Sequence, residues 1–255
     1  MTINSVVKKA FYFLGYELTK KTARPIRKHI GQAYSQIQKK GFEPETIIDV
    51  GAAKGTPSLY NCFTDSYILL IEPLKEFEED MKLILERRRG SYVNAAAGAS
   101  SGTVRFYKHL NHLSGSSLYR ETMGTEADGR EITVPMIRLD DIVKEKSLLG
   151  PYLIKIDAQG AELNVLDGFR ETLSKTEVAV LEVSMFEFMK GAPQFYDVVY
   201  YMKQRNFVAY DIFLGWNRPL DDALGQVDIV FVKENGMFRE NHSYSTVDQL
   251  KERFG

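Results

Sequence analysis

The chain has 255 residues, 44% of them hydrophobic, and a formal net charge of −1 at pH 7. That length and apolar content suffice for the full core of one α/β domain, and the near-neutral balance argues against general nucleic-acid binding. Cys62 is the only cysteine, which excludes an intrachain disulfide framework and a cysteine-based zinc site and points to a reducing, cytoplasmic setting.

The neutral total hides an uneven distribution. Residues 1–40 hold nine lysines and arginines against Glu17 alone, with Phe11, Tyr12, Phe13 and Tyr16 among them. This basic helical extension reads as two helical pieces separated near Arg24-Pro25, because a residue before proline resists helix. A basic segment carrying aromatics suits peripheral contact with an anionic membrane; the plainer reading is a solvated helix face that caps the core. No apolar run approaches the length of a membrane span, and the N-terminus lacks the long apolar core of a signal peptide. The main domain is taken as residues 41–255.

After a turn at 41–44, Thr46-Ile47-Ile48-Asp49-Val50 is a short β-branched run that ends at an acid. It breaks into Gly51-Ala52-Ala53-Lys54-Gly55 and, past Pro57, a short helix over 57–63. A buried parallel strand feeds a helix in this way, through a turn that lets backbone approach a ligand closely. The loop is neither G-x-G-x-x-G nor a Walker sequence, so a phosphate-bearing dinucleotide or nucleotide is disfavoured. An acid before the first glycine suits a cofactor with a cationic amino-acid end, and S-adenosylmethionine fits.

Tyr67–Ile71 is a second, uniformly apolar strand, ending at Glu72-Pro73, and residues 74–88 follow as a helix with Leu74, Phe77, Met81 and Leu85 at helical spacing. Residues 91–98 read as a third strand running into the small residues Ala95 and Ala96, and 103–107 as an added strand. Residues 108–130, with His109 and His112, read as a long loop or lid. Pro135 marks 132–137 as an edge strand, because proline donates nothing to a ladder. A short helix over 139–146, a strand over 152–157 ending in Asp157, a helix from Gly160 and a strand over 177–183 come next. A helix over 195–204 and a final antiparallel pair, 207–214 and 227–232, complete a doubly wound, mostly parallel Rossmann-like α/β sheet.

Three strand ends carry carboxylates: Asp49, Glu72 and Asp157. Glu72 stands one helix-and-strand unit after Asp49, where an acid accepts hydrogen bonds from ribose hydroxyls. At this point the residues resemble a family. Ile48-Asp49-Val50-Gly51-Ala52-x-x-Gly55, Ile71-Glu72-Pro73, Ser114-Gly115-Ser116-Ser117-Leu118, Leu139-Asp140-Asp141, Ile154-Lys155-Ile156-Asp157-Ala158-Gln159-Gly160-Ala161-Glu162 and 225–231 are similar to FkbM-type methyltransferases, a branch of the class I S-adenosylmethionine-dependent enzymes. Ala53 and Gln159 depart from the family's frequent Asn and Glu.

The resemblance implies methyl transfer to an oxygen, commonly a hydroxyl of a sugar or a polyketide-like product, and the acceptor is read as a saccharide or glycosylated natural product; the basic arm separately suggests docking on an anionic membrane that carries a lipid-linked substrate. Asp49, Gly51, Ala52, Gly55, Glu72, Ala95 and Ala96 are then expected at the cofactor. Asp157 is the leading candidate for base, acceptor-binding group or metal ligand, with Lys155 on the same face as its ion-pair partner. His109 and His112 are alternative bases, since either titrates near neutrality. Ser116, Ser117, Glu162 and Glu182 are candidates for substrate binding, and Tyr210 and Trp216 for stacking on a sugar face. Glu162 also suits the helix N-terminus, and Asp140-Asp141 suits a helix start better than a metal site. Divalent-metal dependence stays open. The alternatives are a nitrogen or carboxylate acceptor, or a non-catalytic carbohydrate-binding descendant of a methyltransferase.

Overall fold

The computed structural model describes residues 26–254, together with the isolated Phe13. The first helical piece of the basic arm and the break at Arg24-Pro25 lie outside the described residues. The elements in chain order are α1 (Ile30–Lys39), β1 (Thr46–Val50), α2 (Pro57–Tyr60), β2 (Tyr67–Ile71), α3 (Glu78–Leu85), β3 (Gly90–Val93), β4 (Ala96–Ala97), β5 (Gly102–Lys108) and β6 (Arg130–Ile137). They continue with α4 (Leu139–Glu145), β7 (Tyr152–Ile156), α5 (Glu162–Asp167), α6 (Arg170–Leu173), β8 (Thr176–Ser184), α7 (Phe195–Lys203), β9 (Phe207–Leu214), β10 (Gln226–Lys233) and α8 (Val247–Phe254).

Seven strands form one sheet in the order β3-β2-β1-β7-β8-β10-β9, and only β10 runs against the rest. The order reverses between β1 and β7, which makes the carboxyl ends of those two strands the place where such a sheet binds ligands. Both faces of the sheet are covered, and that explains the uniformly apolar strand sequences. Successive side chains of a strand point to opposite faces. Ile48, Val50, Leu69, Ile71, Ile154 and Ile156 accordingly enter one core with residues of α4, α5 and α7. Ile47, Ile68, Leu70 and Leu153 enter the other, with Ala33, Tyr34 and Ile37 of α1, Leu59 and Tyr60 of α2 and Met81 of α3. Each such aliphatic side chain contributes roughly 1.5–3 kcal/mol on burial. Asp49, equally buried in β1, adds none of that and demands partners instead.

A second sheet, β4-β6-β5, stands beside the carboxyl end of the first. Two expectations change here. The strand expected over 91–98 is divided: β3 ends at Val93, whose carbonyl accepts from both Glu72 and Ala95 N–H, and Ala96-Ala97 pair with β6 of the second sheet. The strand around Pro135 is central rather than an edge. Proline is tolerated there because Pro135 stands opposite Thr103 of β5 and precedes Met136-Ile137, the two residues that pair with β4. The carboxylate of Asp140 accepts from Glu171 and Thr172 N–H and from the Thr172 hydroxyl, so it caps α6 rather than the helix it begins. Among the described residues no helix is long and apolar enough to cross a membrane.

Candidate active site

The loop after β1 owes its shape to glycine. Gly51 has φ +72°, and a Cβ there would collide with the Asp157 carbonyl oxygen, so the two central strand ends approach as closely as backbone allows. Gly55 (φ +87°) closes the turn, and Ala53 adopts φ +42°, a left-handed conformation unusual for a residue with a Cβ.

The three acids expected at strand ends have different fates. Asp49 is fully buried beneath this loop. One carboxylate oxygen accepts from the Thr56 hydroxyl at 2.8 Å and from the Tyr60 hydroxyl, and the other lies 3.4 Å from Lys155 Nζ. Burial and the neighbouring Asp49 raise the Tyr60 phenol and keep it protonated. Asp49 therefore braces the loop from behind and has no place on the cleft wall. Thr56 and Tyr60 went unrecognised in the sequence.

Glu72 is nearly as buried but faces the cleft. Its oxygens accept from Ala53 N–H at 3.1 Å and Leu74 N–H at 2.9 Å, which ties the tips of β1 and β2 together. Burial pushes its carboxyl up to about 7, against the pull of those two N–H groups.

Asp157, one residue past β7, is one-third exposed. Its Oδ2 lies 3.4 Å from Lys155 Nζ and its Oδ1 accepts from Gln159 Nε2 at 2.8 Å. Lys155 thus stands between Asp49 and Asp157. Burial works against its charge, but the two acids outweigh burial and raise its pKa.

Two openings meet at this point. A crevice with a cavity volume of about 80 Å³, opening to solvent, is lined by Gly51, Ile71, Glu72, Ala95, Ala96 and Asp157 and covered by Leu113 and Leu118 of the long loop. A broader cavity beside it is bordered by Ala52, Lys54, Gly55, His112, Lys155 and Asp157. Gly51 and Asp157 belong to both.

The remaining candidates are spread around this centre. His109 is turned away from the cleft, its Nε2 3.3 Å from Glu121 Oε1, whereas His112 is exposed at the rim of the broader cavity. Ser116 lines the crevice, but its hydroxyl accepts from His109 N–H at 3.0 Å. Ser117 is fully buried: it donates to the Gln159 carbonyl at 2.7 Å and accepts from Tyr119 N–H at 3.0 Å. Glu162 is 3% exposed and accepts from the N–H groups of Ala158 and Gly160, both at 3.1 Å. Burial pushes its carboxyl up to about 7. It holds the loop after β7 and meets no cleft.

Glu182 accepts from Gln159 Nε2 at 2.6 Å and Gln226 Nε2 at 3.2 Å. Burial, then Asp157 and Glu162, push its carboxyl up to about 9. Trp216 is 72% exposed and borders neither opening, and Tyr210 packs on Phe238. No group of three or more His, Cys, Asp or Glu side chains among the described residues is arranged to hold a metal ion.

The model of the methyltransferase FkbM domain matches residues 49–209, from the first acid of the site to the middle of β9. Two curated relatives carry methyltransferase names. Hexuronic acid methyltransferase AglP of Haloferax volcanii is 23% identical over 141 residues, 55% of this chain and 56% of that protein. The 2-O-methyltransferase NoeI of Sinorhizobium fredii is 41% identical over 91 residues, 36% of this chain and 34% of that one. The chain thus spans about half the length of the first and a third of the second. Among solved structures, an rRNA methylase from Streptococcus thermophilus overlays with a TM-score of 0.46 at 8% identity, covering 82% of this chain and 99% of that one. The magnesium protoporphyrin IX methyltransferase ChlM of Synechocystis, solved with bound S-adenosylmethionine, overlays at 0.43 and 9%, covering 91% and 98%. The family model takes in the end of β1, all of β7 and both loops of the cleft, and the chain belongs to the FkbM methyltransferase family.

Proposed function

We propose that this protein is an S-adenosylmethionine-dependent O-methyltransferase acting on a hydroxyl of a saccharide or glycosylated natural product. The observation that carries this reading is the convergence of Gly51, Glu72, Ala95, Ala96 and Asp157 on one crevice at the point where the strand order reverses. The crevice fits the cofactor in kind. It offers a backbone cradle that a Cβ would fill at Gly51, a carboxylate for a diol at Glu72, and small flat walls at Ala95 and Ala96. The names of the two curated relatives, one a hexuronic acid methyltransferase and the other a 2-O-methyltransferase, support a saccharide acceptor.

Bound there, S-adenosylmethionine supplies a methyl group on a cationic sulfur: an acceptor oxygen forms the new C–O bond while the C–S pair stays with sulfur, giving a methyl ether and S-adenosylhomocysteine. The chain's own residues do the rest. Glu72 accepts the ribose hydroxyls. Asp157 takes the proton of the acceptor hydroxyl at its carboxylate, and Lys155 keeps that carboxylate balanced by an ammonium 3.4 Å away. A positioned base of this kind is worth roughly 10²–10⁴ in rate, and alignment up to about 7–11 kcal/mol of barrier.

The test is incubation of the full chain with methyl-labelled S-adenosylmethionine and a pool of free and lipid-linked glycans, followed by mass spectrometry. Label on a sugar oxygen, stable to base, is expected. Label on nitrogen, or as a base-labile ester, would move the acceptor to the alternative class. Calorimetry showing no affinity for S-adenosylhomocysteine would overturn the reading.

A further inference from the structure

The turn after β7 contains one residue whose hydrogen bonds join the cleft acid Asp157 to Glu182 of β8 and to Ser117 of the covering loop. Gln159 has φ +48°, in the left-handed region that a side-chain-bearing residue enters at a cost. Its side-chain nitrogen has two protons, and both are used: one is donated to Asp157 Oδ1 at 2.8 Å, the other to Glu182 Oε2 at 2.6 Å. Its main-chain carbonyl accepts from the hydroxyl of Ser117, the fully buried residue by which the covering loop is attached. An amide NH₂ is the one common neutral group able to donate to two carboxyls at once. A backbone held in a costly conformation persists only where its surroundings determine it, and here they are the site itself.

We propose that Gln159 is a positioning residue for methyl transfer, fixing the direction of the Asp157 carboxylate and tying the covering loop to the same turn. This inference rests on the reading of Asp157 as the proton acceptor. The groups that face Asp157 are Lys155 on its own strand, Asp49 from β1, Glu72 after β2, Glu162 from α5, Glu182 from β8 and Asp228 from β10. Gln159 is the neutral residue among them that touches Asp157 directly. A truncated side chain would leave Asp157 Oδ1 without its donor.

The test compares Gln159→Ala and Gln159→Gly in the full chain. Gln159→Ala is expected to lower kcat roughly tenfold with KM and the S-adenosylhomocysteine Kd within about twofold. Gln159→Gly suits the left-handed backbone, so it retains the fold even where alanine does not, and it should lose kcat to the same extent.

A Gln159→Gly variant with parental kcat would overturn the proposal. So would a cofactor Kd that weakens in step with kcat, which would make Gln159 a structural part of the cofactor cradle. A carboxyl ¹³C titration of Asp157, assigned with Asp157→Asn, is expected to move upward in Gln159→Ala, because the ionised carboxylate loses a donor. That shift in a chain that transfers no methyl group would sink the proposed activity and leave the Gln159–Asp157 coupling standing.

Discussion

The loops after β1 and β7 are built alike and used differently. Each follows a central parallel strand with an acid at or just past its end, and each bends through a left-handed non-glycine residue, Ala53 or Gln159, with a left-handed glycine close behind. In the first loop the side chains turn inward. Asp49 is consumed by Thr56, Tyr60 and Lys155, and the outer surface is bare backbone, with Ala53 N–H given to Glu72. In the second loop the side chains face the cleft, and Glu162 braces them from below through two N–H groups. Two residues of register account for the difference. Asp49 lies within β1, opposite Lys155 in register, so the sheet swallows it, whereas Asp157 lies one position beyond the end of β7 and stays one-third exposed. A strand end becomes a cradle or a reacting surface according to where its acid stands relative to the last ladder pair.

The contrast can be broken at several points. The largest effect belongs to the second loop: Asp157→Asn should lower kcat by roughly 10²–10⁴ while the S-adenosylhomocysteine Kd, measured by calorimetry, changes by less than about threefold. An Asp157→Asn enzyme with near-parental kcat would remove the distinction. In the first loop Gly51→Ala should do the converse and damage binding first. The added Cβ meets the Asp157 carbonyl, so cofactor affinity should vanish and thermal denaturation should show about 1–3 kcal/mol lost.

Glu72 sharpens the contrast through pH. With its carboxyl at about 7 in the folded chain and near 4.5 when unfolded, it binds its proton more tightly in the native state. Its contribution to stability is therefore fully present below about pH 4.5 and is lost as the pH rises through 7. Ribose hydroxyls need the ionised form as acceptor, so cofactor affinity should run the other way and rise with pH through about 7. Glu72→Gln should flatten that dependence and weaken Kd on the order of tenfold, read by calorimetry from pH 5.5 to 8.5. The smallest effect is Ala53→Gly, which relieves a left-handed alanine. A gain of about 0.5–1 kcal/mol in denaturant unfolding is expected, with the methylation rate unchanged.

Much of this was legible in the chain, for reasons that differ by residue. The runs 46–50, 67–71 and 152–156 are dominated by apolar residues, with Asp49 and Lys155 as the charged exceptions, because both faces of each strand are buried, and a buried strand tipped by an acid can be read without a structure. Glu72 followed from the same pattern. The partners of Asp49 did not, because Thr56 and Tyr60 reach it only once the glycine turn has folded back. The bond between Gln159 and Glu182 joins residues 23 apart through the adjacency of β7 and β8, which no local pattern encodes. His109 and Ser117 read as functional for their chemistry alone, yet both are spent on the architecture of the covering loop. The division of residues 91–98 between two sheets was hidden by their small side chains, which fit either sheet.

The reversed strand β10 has a consequence for how the molecule is made. Because it lies between β8 and β9, the edge strand β9 has no place to attach until residues 226–233 leave the ribosome. By residue 184 the nascent chain already holds β1, β2, β3, β7 and β8, whose parallel ladders need nothing that is synthesised later. During translation of the next forty or so residues the outer side of β8 is an open ladder edge, the kind of surface that recruits a chaperone or a neighbouring polypeptide. A chain that has emerged only that far would present a half-sheet with the cleft between β1 and β7 already assembled and its flank unguarded.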